Sequence, residues 1–284
     1  MSHHPLYRIT SIGRPVEPQY PTNKAVLIIL PLAGIVAALL AYFLMGETTA
    51  AGLLRTALLS ILVAFGSWAL ARELAPDDNP AAFISMGTAY LVFLFSPGGS
   101  ILLLFVALAL SRILNRSTGL APRLSDSVVV AVLAAWAAYS LESPLVAVVA
   151  AAAFVLDASL PGPERRQWPF AVVSIAVAVA LAMQYGMNVS FPAIPETTEA
   201  LISPLVLLSF ILVAVSMQTV DAPGDVDGHP LLLPRVKWGM LITFLLALVF
   251  LFAPPGQSGL STLLVATMAG IPAGKVLRSV RGFA

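Results

Sequence analysis

Apolar residues fall in long, nearly charge-free runs, separated by short turns that carry Pro, Gly, Ser or charged residues. Repeated apolar runs with few charges are transmembrane candidates. The pattern predicts ten helical spans: Ala25–Met45, Ala51–Ala71, Ala81–Phe95, Ser100–Leu114, Ser127–Leu141, Pro144–Ser159, Trp168–Tyr185, Ala200–Thr219, Trp238–Ala253 and Ser258–Ala273. Spans three to six hold only about 15 residues, below the roughly 20 that cross a bilayer core upright. Either the bilayer thins around them or the longer helices shield them.

The stretch from Asp126 to Ser159 differs in texture from the rest. Two runs rich in Ala and Val flank the turn Leu141-Glu142-Ser143-Pro144, whereas the outlying runs are rich in Leu, Ile and Phe. Small side chains let helices approach closely, so this central hairpin is expected to be buried against its neighbours. Turn chemistry supports the parsing. Ser96-Pro97, Ser143-Pro144 and Ser203-Pro204 are each read as opening an even-numbered helix, because serine caps an orphan amide and proline has no amide to orphan. Pro254-Pro255 precedes the tenth span. Leu74-Ala75-Pro76 and Leu120-Ala121-Pro122 stand at matching distances before spans three and five, which suggests a helical-hairpin unit repeated across residues 74–163.

Composition changes the picture by fixing the class. A chain of 284 residues that is 59% hydrophobic and 10% charged, with mean hydropathy +0.93, is too apolar for a soluble globular domain. The expectation is an all-α integral membrane protein of about ten transmembrane helices in five hairpins. It divides into a flexible or extended cytoplasmic arm (1–24), a polytopic domain (25–273) and a basic cytoplasmic tail (274–284). The arm lacks the form of a secretory signal, since its apolar run starts late and is long. A formal charge of +1 with scattered basic residues gives no case for nucleic acid. The absence of cysteine excludes disulfides, thiolate catalysis and Cys-bound metal.

Charge then orients the chain. With ten spans, every Lys and Arg except Arg55 falls on the side that holds both termini. Positive-inside bias places that side in the cytoplasm of a cell membrane. Trp168 and Trp238 at cytoplasmic helix starts, with Tyr42, Tyr139 and Tyr185 near outer ends, fit interfacial aromatic belts.

Candidate chemistry is confined to the span ends, because no ionisable residue sits near the middle of a span. At the cytoplasmic end, Arg72, Glu73, Asp77, Asp78, Arg112, Arg116 and Asp157 form a polar cluster. Its Asp77-Asp78-Asn79 segment is read as a cap for span three in preference to a magnesium site. Asp157, at the unfavourable end of its helix dipole, is expected to pair with Arg112 or Arg116. The segment Asp221–His229 is read as a mobile acidic loop. At the outer end, Arg55, Trp136, Tyr139, Glu142, Gln184 and Asn188 outline a candidate aromatic vestibule, with the Met187–Glu199 loop as a lid. Arg55 is expected to bridge Glu142 or, second, Glu47. No catalytic residue, metal ligand or cofactor is assigned. The function expected is a multi-pass, non-enzymatic protein that helps move a neutral, lipidic or anionic small molecule. The alternatives are an accessory subunit packed against other membrane subunits or its own copies, and a lipid-modifying enzyme at the cytoplasmic face.

Overall fold

The computed structural model describes residues 4–96, 98–187, 198–254 and 257–281. Among these residues the chain is helical, with one isolated bridge between Pro223 and Pro230 in place of any strand. The ten helices are α1 (Pro21–Met45), α2 (Ala50–Leu74), α3 (Asn79–Phe95), α4 (Ile101–Asn115), α5 (Leu124–Ser140), α6 (Pro144–Ser159), α7 (Trp168–Tyr185), α8 (Thr198–Ser216), α9 (Leu233–Leu251) and α10 (Thr262–Arg281). α1, α2, α7, α9 and α10 belong to segments long and apolar enough to cross a membrane.

Local chemistry explains most boundaries. The side chains of Thr49, Asp78 and Ser100 accept from the amides of Gly52, Ala81 and Leu103, which caps α2, α3 and α4. Proline occupies the first helical positions of α1, α3, α6, α7 and α9, where its missing N–H costs nothing. The serine–proline pair opens a helix only at Ser143-Pro144, and there the Ser143 side chain makes no capping hydrogen bond. Ser96 instead terminates α3, Ser100 supplies the cap of α4, and Pro204 lies inside α8. Pro272 likewise lies within α10, so the predicted tail continues that helix as far as Arg281.

Of the five expected hairpins, two, α1–α2 and α5–α6, have helices that pack against each other closely. α3 instead runs along α10 and α2, and α4 runs along α9, so residues 74–163 do not form a repeated hairpin. The α3–α10 seam is made by small residues. A Cβ added at Gly270 or Gly274 would collide with Ser85 or Ala81, so this G-x-x-x-G face holds the two backbones in direct contact. Thr88 adds a 2.7 Å hydrogen bond to the Ala266 carbonyl. Across α4–α9 the hydroxyls of Ser111 and Thr243 meet at 3.0 Å, fully buried.

The core lies among α2, α4, α6 and α9, where Leu70, Leu104, Leu110, Phe154, Met240 and Phe250 are sealed from solvent. Only half of the Ala-rich hairpin is central. α6 is buried around most of its circumference, but α5 buries one face and leaves Val129, Val132 and Trp136 exposed.

Candidate functional site

Polar contacts bring the ends of α2, α4, α6, α8 and α10 together with the starts of α3, α5, α7 and α9. At that end two carboxylates are buried completely, each in its own knot.

The first is Glu73, in the last turn of α2. Its Oε1 accepts from Arg112 Nε at 3.2 Å, Ser117 Oγ at 3.1 Å and Arg14 Nη1 at 3.4 Å, while its backbone carbonyl accepts from Asn115 Nδ2 at 2.7 Å. Arg14 also grips Asp225 through Nε and Nη2, both at 2.7 Å. Burial works against the charge on Arg14, but Glu73 and Asp225 outweigh it and hold the guanidinium pKa above its ordinary value. The bidentate geometry makes this a strong pair of charge-assisted bonds.

The second is Asp157, in the last turn of α6. Its Oδ1 accepts from Arg235 Nη1 at 2.6 Å and Arg116 Nε at 3.0 Å. The predicted pairing with Arg116 is present, and Arg235 is the partner that sequence reading missed. Arg235 is only 2% exposed and also donates to the carbonyls of Leu114, Pro161 and Gly162. One guanidinium therefore ties the C-termini of α4 and α6 to the start of α9. It escaped notice because α9 was expected to begin at Trp238; Pro234 at a first helical position is the signal for the earlier start.

The N-terminal arm opens with a short 3-10 turn, Pro5–Arg8, and is fastened. Asp126, at the start of α5, accepts from Thr10 Oγ1 at 2.7 Å, Ser11 N at 2.7 Å and Ser11 Oγ at 2.5 Å. Arg123 donates to the carbonyls of Tyr7 and Arg8, and Arg112 to that of Ile12. Burial, then the neighbouring Asp225, push the Tyr7 hydroxyl above its ordinary pKa. The 221–230 segment is also held in place: Val226 N donates to the Thr118 carbonyl at 2.9 Å, and Asp225 anchors Arg14. Proximity across more than a hundred residues fixes both segments, and local composition carries no trace of it.

Asp78 caps α3 as read, whereas Asp77 holds the 221–230 segment instead. Asp77 accepts from the amides of Asp221 and Ala222; Asp78 caps α3 and pairs with Arg278 at 2.9 Å. Arg72 donates to Asn79. No group of three or more His, Asp or Glu among the described residues is placed to hold a metal ion.

The opposite end is built differently. The expected Arg55 bridge is not formed: Arg55 is exposed and makes no ion pair among the described residues. α2 packs against α1, α3, α4, α9 and α10, whereas Glu142 tops the α5–α6 pair. Glu47 is engaged by the hydroxyl and amide of Thr49. Trp136 and Tyr139 share a helix face, but both point outward at 60% and 56% exposure, and Gln184 is exposed as well. Asn188 and most of the proposed lid lie outside the described residues.

What does form is a smaller pocket of about 80 Å³ between the α5–α6 turn and the ends of α7 and α9. Glu142, Ser143, Tyr185, Met187, Val249 and Gln257 are among the residues lining it. Tyr139 stands beside Tyr185, their ring centroids 6.3 Å apart. Of the predicted vestibule residues, this pocket gathers Glu142 and borders Tyr139.

Comparison of the chain with protein-family models, with curated proteins and with solved structures finds no match in any of the three.

Proposed function

We propose that the chain is a multi-pass membrane protein with both termini on the cytoplasmic side of the cell membrane, and that it takes up a small molecule from the outer side without chemically altering it. On this reading all ten helices cross. The long ones supply the lipid-facing rim, and the short, largely buried α4 and α6 sit inside it. Exposed Leu, Ile, Val and Phe along α1, α5, α7 and α8 support such a rim.

The observation that carries the functional reading is the division between the ends. Every buried ion pair among the described residues closes one end, while a pocket with an exposed acid opens at the other. Buried pairs resist separation because removing one partner strands a charge in a low-dielectric site. They suit the closed face of a protein that receives its ligand from the opposite side. The test is uptake by proteoliposomes of a panel of labelled amines, sugars, carboxylates and phospholipids. Uptake of one class above protein-free vesicles supports the reading; uptake of none overturns it.

A second reading, the accessory subunit, is favoured by one feature. A groove of about 100 Å³ between α5, α6 and α7 is lined by Ala131, Ala134, Ala135, Ala147 and Ser174, small residues that suit the close approach of another transmembrane helix. Stable stoichiometric partners retained through mild-detergent purification would favour it. The enzyme reading loses its candidate acidic site, because Asp77 and Asp78 are committed to backbone amides and Arg278.

A further inference from the structure

The outer pocket has a chemistry that differs from the solute class expected from the sequence. Among the described residues its lining includes one carboxylate, Glu142, and no lysine or arginine. Neutral oxygen acceptors stand beside that acid: the hydroxyls of Ser143 and Tyr185 and the amide of Gln257. Aromatic surface comes from Tyr185, with Tyr139 next to it.

Helix ends of both senses meet at the pocket. α7 finishes at Tyr185 and α9 at Leu251, so two C-termini, each partly negative, abut it; N-termini come from α6 and from the short 3-10 turn that Gln257 opens. An anion would meet a carboxylate and two carbonyl-bearing ends. A cation would meet favourable charge and ring faces together. Size narrows the class further. At about 80 Å³ the pocket is roughly half the cavity of about 150 Å³ that holds benzene. It suits a head group whose remaining chain leaves through the open mouth.

The backbone adds an independent mark. Glu142 has φ +50°, a left-handed conformation that strains a side-chain-bearing residue and costs glycine almost nothing. The α5–α6 turn would be easier to build with glycine there, yet the position carries a carboxylate.

We propose that this pocket is a binding site for a small organic cation, a primary ammonium head group, with Glu142 as counter-charge and Tyr185 as aromatic wall. The proposal deepens the solute-uptake reading and rests on it for biological use, but binding is measurable without transport.

The experiment is calorimetric titration of the purified full-length protein in detergent with methylammonium chloride, against sodium chloride at equal ionic strength. Saturable binding of methylammonium is expected, and Glu142→Gln should weaken it about tenfold or more. Glu47→Gln removes an outer carboxylate away from the pocket and should leave affinity unchanged. Glu142→Gly guards against misfolding: it suits the left-handed backbone, so the variant should unfold no earlier than wild type while losing binding to the same extent. No saturable binding by wild type, or equal affinity in wild type, Glu142→Gln and Glu142→Gly, overturns the proposal. Uptake of some other solute class in proteoliposomes would then leave the uptake reading standing, whereas ammonium binding without any uptake would overturn that reading alone.

Discussion

The two ends of the bundle handle charge in opposite ways. At one, Glu73 and Asp157 are sealed completely and each is met by two arginines. At the other, Arg55, Glu47 and Glu142 stand apart, with Glu47 bonded to its chain neighbour Thr49. A charge in water can remain single, but a charge beneath the surface requires a partner, because desolvation costs several kcal/mol per ion. The contrast therefore identifies the end at which chain segments are held together. The arm, the 221–230 segment, α2, α4, α5, α6 and α9 are joined there by guanidinium groups that bond side chains and backbone carbonyls at once. The other end leaves Arg55, Glu142 and Gln184 exposed.

The largest break in this contrast is expected from Arg235→Ala. It leaves Asp157 to Arg116 alone and takes the guanidinium donor from the carbonyls of Leu114 and Pro161, so thermal unfolding in detergent should show a loss of about 2–4 kcal/mol; a loss under about 1 kcal/mol would mean that Arg235 is incidental. Next is Asp126→Ala, which removes the acceptor of Thr10 and Ser11. A cost of about 1.5–3 kcal/mol is expected. Hydrogen exchange should also lose the protection of the Ser11 amide, whereas unchanged protection would show that the arm is held by other contacts.

Much of this was legible in the sequence and some was not, for physical reasons. Helix positions follow from apolar runs and local caps; α6 and α7 fall where the pattern puts them, because Pro144 and Pro169 mark their starts. The segregation of basic residues was legible because it depends only on counting turns. Pairing was legible where both partners stand at helix ends of the same depth, as for Asp157 and Arg116. The same rule failed for Arg55 and Glu142, since equal depth does not make helices neighbours. The fastening of Ser11 to Asp126 and the α3–α10 seam join residues far apart in the chain. Gly270-Ile-Pro-Ala-Gly274 announces a close contact, but its partner appears only in the fold.

At the outer end the expected effects are smaller and local. Thr49→Ala should cost about 1 kcal/mol through loss of the α2 cap. The Thr49 hydroxyl, then its amide, hold the Glu47 carboxyl below the usual range. That contribution is complete above the ordinary carboxylate pKa and is lost as pH falls through the depressed value. In Thr49→Ala the acid limb of the stability profile should flatten slightly; an unchanged limb would contradict the bond. Smallest of all, Arg55→Ala should shift stability by no more than about 0.5 kcal/mol, and its effect should add to that of Glu142→Ala. Strong coupling between the two would restore the bridge that the structure lacks.

The central claim, that these two ends lie on opposite sides of a membrane, has a direct test because the chain contains no cysteine of its own. Single cysteines at the exposed positions Arg165, beside the arginine-rich end, and Thr48 and Gln184, at the other, would be labelled in intact cells with a membrane-impermeant maleimide. The account predicts that Thr48→Cys and Gln184→Cys react at once and that Arg165→Cys reacts only after the membrane is permeabilised. Labelling of all three from the same side would contradict it.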